Sequence, residues 1–314
     1  MAQPSNLLLK QARQLFPDTT ERERFVQALI QPQPFQPAIL WCKPPIAVFA
    51  TEPPLAWQPP FVDRLHLGQQ PGKHPLHDQG AYYCLDFSSV FAASVLLSLP
   101  KMPKLIFDMC AAPGGKSIFA WQALQPHLLL ANEVVGKRMG ALLSNLRRCG
   151  LTPAALMTVD SQIVAEVIPM TADLVLVDAP CSGQSLLAKG KLNPGCFHPV
   201  NINKNANRQK RILANSAQLV MPNGCLVYMT CTYAREENEQ VIEWLLERFP
   251  EFQPIAIAPL QVYQSQLAEF PCYRMFPQDR LGAGAFTVVL RNTTRGQRRE
   301  LPTHFLQQSR ITQL

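Results

Sequence analysis

The sequence predicts a doubly wound α/β fold, and three observations carry that prediction. From Lys104 onward, short apolar runs alternate with helical patterns of about 10 to 15 residues, the texture of a parallel sheet covered on both faces. The first four of those runs end in an acid, at Asp108, Glu133, Asp160 and Asp178. With 47% of its 314 residues hydrophobic, the chain can bury one large domain and has room for a small one.

Amphipathic patterns predict helices over residues 7–16 and 20–29. Prolines then crowd the chain, with PP pairs at 44, 53 and 59, which rules out long regular helices across residues 32–75. Only AILWC at 38–42 reads as extended. Residues 1–79 are therefore expected to form a separate, irregular unit. In the span that follows, residues 80–290, the buried strands are KLIFDM (104–109), LLLANE (128–133), ALMTVD (155–160), DLVLVD (173–178), CLVYMT (225–230) and AFTVVL (285–290). Helical patterns separate them at 117–124, 137–150, 208–221 and 238–249. Residues 291–314 carry five arginines against one glutamate and are expected to be a flexible basic tail.

Composition narrows the class further. The chain has 29 Lys and Arg against 22 Asp and Glu, and a pI near 9.0, so a polyanion is a reasonable partner. No apolar run reaches about 18 residues and the first residues carry charge where a signal peptide is apolar, so a cytoplasmic protein without membrane contact is expected. The nine cysteines form no CxxC or Cys/His zinc spacing. They are expected to be reduced thiols, and no metal is expected.

The candidate chemistry sits at the strand ends. FDMCAAPGGKS (107–117) places a glycine pair between a strand and a helix, where backbone N–H groups and the helix start favour a carboxylate or phosphate. It lacks the spacing of a P-loop or of a dinucleotide fingerprint. Glu133 ends the second strand, where an acid commonly accepts hydrogen bonds from ribose hydroxyls. Four acids at successive tips suit a ligand rich in hydroxyls, amines or a cation. DLVLVDAPCSG puts Asp178 and Cys181 at the fourth tip, and Cys231 ends the fifth. Adjacent tips share one crevice, so both thiols are candidates to face one substrate. Cys231 is the candidate nucleophile, since a thiolate adds readily to a soft, electron-poor carbon. No histidine lies near in either segment, which argues against a Cys-His hydrolase.

Taken together, DMCAAPGGKS, DAPCSG and YMTCTYAREENE resemble motifs I, IV and VI of the RNA cytosine-5 methyltransferases of the Sun/NOP family. The likeness runs from about Gly80 to AFTVVL, and FVQALIQPQPFQPAILWCKP is similar to the RNA-contacting segment that family carries before its catalytic domain. The resemblance implies a Rossmann-like class I methyltransferase that binds S-adenosylmethionine and acts as a monomer on RNA, with residues 1–79 a candidate RNA-binding unit. The loop of Cys110, Ala111, Ala112, Pro113, Gly114, Gly115 and Lys116 would hold the methionine end of the cofactor. Glu133 would bind its ribose and Asp160 its adenine amine, with Arg138 matching a family arginine. Asp178 would lie between cofactor and base. Cys231 would add to C6 of a cytosine, and Cys181 would assist loss of the C5 proton and release of Cys231. Chemistry on a base requires it to leave its stack, so the RNA would be single-stranded or locally opened. Ribosomal RNA is favoured over transfer RNA.

The chain departs from the family pattern at Thr232, at Gln184 onward, and at Cys84 and Leu85. These changes put RNA contacts of Lys189 and Lys191 in question. Two rival readings stand beside the enzyme: an inactive RNA-binding or ribosome-assembly factor, and a DNA cytosine-5 methyltransferase using Cys181 as nucleophile. The second cysteine motif YMTCT, and the lack of a candidate target-recognition insertion, disfavour the DNA enzyme.

Overall fold

Side-chain caps start the first two helices in the computed structural model, which describes residues 3–308 and 310–314. Ser5 accepts from the Leu8 N–H ahead of α1 (Asn6–Leu15), and Asp18 from the Glu21 N–H ahead of α2 (Thr19–Ile30). The proline-dense stretch that follows yields only β1 (Ala38–Trp41), β2 (Val62–Arg64) and the one-turn α3 (Pro75–Asp78). β1 pairs antiparallel with β2 on one side and with β3 (Tyr82–Leu85) on the other, giving a three-stranded sheet.

That sheet crosses the boundary expected near residue 79, and the amino-terminal segment shares it with the chain that follows. Leu40, Trp57 and Val62 share a buried cluster with Phe87, Phe91 and Phe119. Leu8, Phe25 and Leu29 pack with Ala188, Phe197 and Tyr233. The physical reason is size: a short, irregular segment buries too little apolar surface on itself and completes its core against a larger neighbour.

After α4 (Phe87–Ser94) the chain alternates strand and helix: β4 (Leu105–Asp108), α5 (Gly115–Leu124), β5 (Leu128–Asn132), α6 (Gly136–Arg148), β6 (Ala154–Met157), α7 (Ser161–Val167) and β7 (Ala172–Asp178). Then come α8 (Pro199–Leu219), β8 (Val220–Thr230), α9 (Glu239–Arg248), β9 (Phe252–Pro254), β10 (Tyr273–Met275), β11 (Ala285–Asn292) and β12 (Ile311–Gln313). They build a nine-stranded sheet in the order β10-β11-β8-β7-β4-β5-β6-β12, with β9 also on β11. β8, β7, β4, β5 and β6 run parallel, and β11 and β12 are antiparallel to their neighbours. Alternate residues of β4 and β5 enter opposite cores, Ile106 and Leu129 one, Phe107 and Leu130 the other. Burial on both faces is why these strands read as unbroken apolar runs. Among the described residues no helix is long and apolar enough to cross a membrane.

The chain leaves β4 through β5 and β6 in one direction, then returns to β7 on the other side of β4. The crevice at the carboxyl ends of β4 and β7 is thus the switch point where doubly wound sheets bind ligands. Asp108 and Asp178 end those two strands.

Residues 291–314, expected as a flexible tail, are docked instead. β12 pairs with β6, Leu314 N–H donates to Ala154 O at 2.8 Å, Phe305 is buried, and Arg298 lies 3.3 Å from Asp173. Closing the open edge of β6 rewards this ordering, because an uncovered edge leaves a row of unpaired backbone groups.

Candidate active site

The loop between β4 and α5 is shaped by its glycines. Gly114 caps α5 at φ +112°, and a Cβ there would crowd Leu142 and Leu146 at 3.3 and 3.2 Å. A Cβ on Gly115 would meet Leu85 at 2.7 Å, so the helix start approaches β3 as only glycine allows. Ala111 and Ala112 are buried and Pro113 is exposed. Ala111 N–H donates to Asn132 O at 2.9 Å, which ties the loop to the tip of β5.

Asp108 is fully buried and accepts from Ser117 Oγ at 2.6 Å and from the Cys110 N–H at 3.3 Å. Burial, against the Ser117 hydrogen bond and with the charge of Asp178, pushes its carboxyl up to about 7. Burial also pushes the Cys110 thiol well above its ordinary value, with the charges of Asp108, Asp178 and Glu133 adding to the effect. Cys110 is therefore a neutral thiol at the point where three strand-tip carboxylates converge.

Glu133 is buried at the end of β5. One oxygen accepts from the Val135 N–H at 2.8 Å. The other, Oε2, lies 2.9 Å from Arg138 Nη1, yet accepts no well-directed hydrogen bond. Arg138 donates instead to Ala112 O, bridging Glu133 and the glycine loop. An unused buried carboxylate acceptor at this tip fits a ribose hydroxyl. Asp160 is already engaged: it caps α7 through the Gln162 N–H at 2.9 Å and lies 3.5 Å from Arg211.

Lys116, on the first turn of α5, is buried and donates to Asp178 at 3.0 Å. Burial disfavours its charge, but Asp178, Cys231 and Asp108 outweigh that and hold the ammonium above its usual range. Beyond Asp178, the Sγ atoms of Cys181 and Cys231 are 3.2 Å apart. The two expected thiols are thus brought together, Cys231 exposed and Cys181 partly covered. A hydrogen bond from Cys181 lowers the Cys231 pKa below that of an ordinary thiol, helped by Ser185 and Lys116 and opposed by burial and Asp178. The same bond, with burial and the Cys231 charge, drives Cys181 well upward. The pairing favours the thiolate at Cys231 and the neutral thiol at Cys181.

Residues outside the expected catalytic set hold this pair. Glu237 Oε2 accepts from the Ser182 N–H at 2.8 Å and from Gln209 Nε2 at 2.9 Å, while Gln209 also donates to Pro180 O at 3.0 Å. Ser182 and Thr232 hydroxyls meet at 2.8 Å, joining the loops one residue past each cysteine. Asn238 donates to Thr232 O at 2.9 Å. Gln184, where the motif departs from the family, is fully buried and cross-links Tyr233 N–H and Cys196 O. Lys189 is ion-paired to Asp86 at 2.8 Å, so its charge is engaged inside the protein. Glu237 lies inside the YMTCTYAREENE motif, in the acidic run after Cys231, where nothing local marks it as buried.

In the amino-terminal segment, the aromatic residues that a candidate RNA-binding unit would use to stack on unpaired bases are turned inward. Trp41 and Trp57 are buried, the first donating to Asp63 at 2.6 Å and the second packed on Phe87 and Phe91. Phe61 packs on Phe119, and Arg64 is buried.

A parallel sheet with this switch point, a glycine loop after β4 and an acid ending β5 defines the class I methyltransferase fold. The chain belongs to the 16S rRNA methyltransferase RsmB/F family, whose model matches residues 95–291, and this bears out the likeness read from the three motifs. Ribosomal RNA small subunit methyltransferase F of Cronobacter sakazakii is 30% identical over 233 residues, 73% of this chain and 48% of that protein. The protein of the same name from Escherichia coli O81 is 29% identical over 300 residues, 91% of this chain and 62% of that one. The chain spans about half the length of the curated relatives it matches. Among solved structures, a methyltransferase homologue from Pyrococcus horikoshii superposes with a TM-score of 0.74 at 23% identity, covering 92% of this chain and 95% of that one. NSun6 from Pyrococcus horikoshii, solved with SFG, gives 0.72 at 18% identity, covering 93% and 99%. Both show the same fold. S-adenosylmethionine is the cofactor that goes with this family and fold.

Proposed function

We propose that the chain transfers a methyl group from S-adenosylmethionine to C5 of a cytosine in RNA, ribosomal RNA by the family it belongs to, through a covalent bond between Cys231 and C6. The observation that carries this reading is the 3.2 Å contact of a depressed thiol, Cys231, with an elevated one, Cys181, beside the Lys116–Asp178 pair. Bound in the crevice, S-adenosylmethionine supplies an electrophilic methyl group. Glu133, with Arg138 beside it, would hold its ribose, the glycine loop from Cys110 to Lys116 its methionine end, and Asp160 its adenine amine.

The protein's part is then a sequence of proton and bond changes on its own sulfurs. The Cys231 thiolate adds to C6, and the electron pair displaced from the C5–C6 bond makes C5 nucleophilic. Asp178, held by Lys116 at 3.0 Å, would hydrogen-bond the base through its ring nitrogen or amino edge. Once Cys231 is bonded to carbon, its charge and its acceptor role are gone, and with them two causes of the raised Cys181 pKa. Cys181 then gives up its proton to solvent more readily and, as thiolate, can take the C5 proton; the electron pair of the C5–H bond re-forms the C5–C6 double bond as the C6–sulfur bond breaks, returning Cys231 as thiolate.

Bisulfite sequencing of total RNA from cells with and without the protein tests the reading. Loss of one protected cytosine, restored by the wild-type gene and not by Cys231→Ala, is expected. Cys181→Ala is expected to accumulate a covalent protein–RNA adduct, because addition proceeds and elimination stalls. An adduct with Cys231→Ala and none with Cys181→Ala would reverse the roles. An inactive RNA-binding factor would leave the cytosine pattern unchanged, and the paired thiols argue against it.

A further inference from the structure

Between α2 and the turn that follows β10 lies an open cavity of about 410 Å³ that no step of the proposed chemistry uses. Its wall includes Arg24, Gln27 and Gln31, its floor Phe35, and its far side Gln278 and Arg280. We infer that this cavity holds a nucleotide of the same RNA strand, flanking the target cytosine, and so fixes which cytosine reaches Cys231. The inference rests on the RNA methyl transfer proposed above.

The chemistry of the wall selects the ligand. Arg280 is exposed and makes no ion pair among the described residues, and its φ of +63° places a non-glycine residue in the left-handed region. That conformation closes the turn Pro277–Asp279, with Arg280 N–H donating to Pro277 O at 3.1 Å, and leaves the side chain free at the cavity wall. Arg24 is paired with Glu21 at 2.5 Å, but both side chains are largely exposed, 54% and 39%, so a phosphate can compete for it at little cost. Gln278 lines this wall at 8% exposure and adds a further amide to it. Gln27 and Gln31, both exposed, add amides that offer donor and acceptor together, the pairing a base edge presents. Phe35, half-buried, offers a ring face for stacking. The nearby acid Asp279 lines the neighbouring cavity and not this one. The volume falls in the range of about 300–1,000 Å³ typical of small-ligand sites and suits one nucleotide.

The cavity is also mechanically joined to the catalytic cysteine. Tyr233, two residues past Cys231, packs on Phe25 of α2 at 5.0 Å and on Phe276 at 6.2 Å, the ring next to Pro277 of the cavity wall. Gly190, at the end of the Pro-Cys loop segment, approaches Pro32 beside Gln31 and Gln33. A nucleotide held here would thus be registered against both cysteine loops, which a single flipped cytosine cannot achieve alone.

The test uses the full chain, a fluorescein-labelled single-stranded RNA of mixed sequence, and total RNA for methylation. For Arg24→Gln with Arg280→Gln, RNA affinity is expected to fall about tenfold at low salt, with a log–log salt slope shallower by about 1.4, near 0.7 for each phosphate no longer neutralised. Binding of S-adenosylmethionine and the unfolding temperature should stay at wild-type values. Gln278→Leu and Phe35→Ala should raise KM for RNA with kcat held, and 4-thiouridine RNA should crosslink to this wall in wild type. Wild-type affinity and slope in the double arginine variant, or crosslinks that avoid the cavity, would overturn the inference while leaving the methyl transfer standing. A wild-type protein that binds and methylates no RNA would bring down the functional reading itself. RNA behaviour unchanged in all variants, with an acidic peptide bound at this wall instead, would also overturn the inference.

Discussion

Cys231 and Cys181 are the same residue type at ends of adjacent strands, and only their surroundings divide the work. The hydrogen bond between them is the first cause of the lowered Cys231 pKa, with Ser185 and Lys116 behind it. Removing the donor should therefore raise that pKa. In the pH dependence of iodoacetamide labelling, read by mass spectrometry of the Cys231 peptide, the wild-type midpoint is expected below that of a free thiol. In Cys181→Ala it is expected to move to higher pH. An unmoved midpoint would mean that the sulfur pairing does not set the reactivity. The residues themselves were legible, because a Pro-Cys pair and a strand-ending cysteine stand out in any sequence. Their supports were not. Glu237 and Glu239 sit in an acidic run that reads as a solvated surface, yet both are fully buried, the first on Ser182 and Gln209 and the second on Arg274. Their partners lie 28 to 55 residues away in sequence, and no local pattern encodes such pairing.

At the scale of elements, each parallel strand announced itself as an apolar run because both its faces are buried; an acid stands at or just past the end of β4, β5, β6 and β7, and Cys231 follows β8. The elements that went unread are short or polar. α7 has seven residues and β12 three, and the first turns of α8 (Pro199 to Asn207) carry little apolar periodicity. The cost of aiming acids into one crevice falls on Asp108, whose carboxyl at about 7 stands well above its ordinary 3.8. Between those two values the folded protein holds a proton that the unfolded chain has released, so this group's contribution to stability falls as pH rises through the window and is level above it. A shift of that size corresponds to an upper bound on the order of 4 kcal/mol. Asp108→Asn keeps an acceptor for Ser117 and carries no charge, so its stability relative to wild type should improve between pH 5 and pH 8. Urea unfolding of both proteins across that range measures the difference, and a difference independent of pH would place the Asp108 carboxyl in the ordinary range.

Over the whole molecule, the amino-terminal segment is where composition misled. Proline pairs and the lack of long helices suggested a separate small unit, but prolines limit regular structure without limiting burial, and this segment supplies one wall of the main core. Leu40, Trp57 and Val62 cover Phe87, Phe91 and Phe119 on one side, and Phe25 covers Tyr233, next to the catalytic loop, on the other. A chain starting at Asp78 would expose all of these at once. Each large side chain uncovered forfeits roughly 1.5 to 3 kcal/mol, so uncovering several together meets or exceeds the roughly 5–15 kcal/mol that holds a typical domain together. Such a chain is expected to lose its cooperative thermal transition, bind a dye for exposed apolar surface, and fail to bind S-adenosylmethionine, even though every expected cofactor residue lies after residue 78. A milder comparison isolates the cause: Phe25→Ala should lower the unfolding temperature by several degrees, consistent with a loss of about 3 to 5 kcal/mol for a buried phenylalanine. If the shortened chain unfolds cooperatively and binds cofactor as the full chain does, the two parts are separable after all, and the shared core contributes little to the active fold.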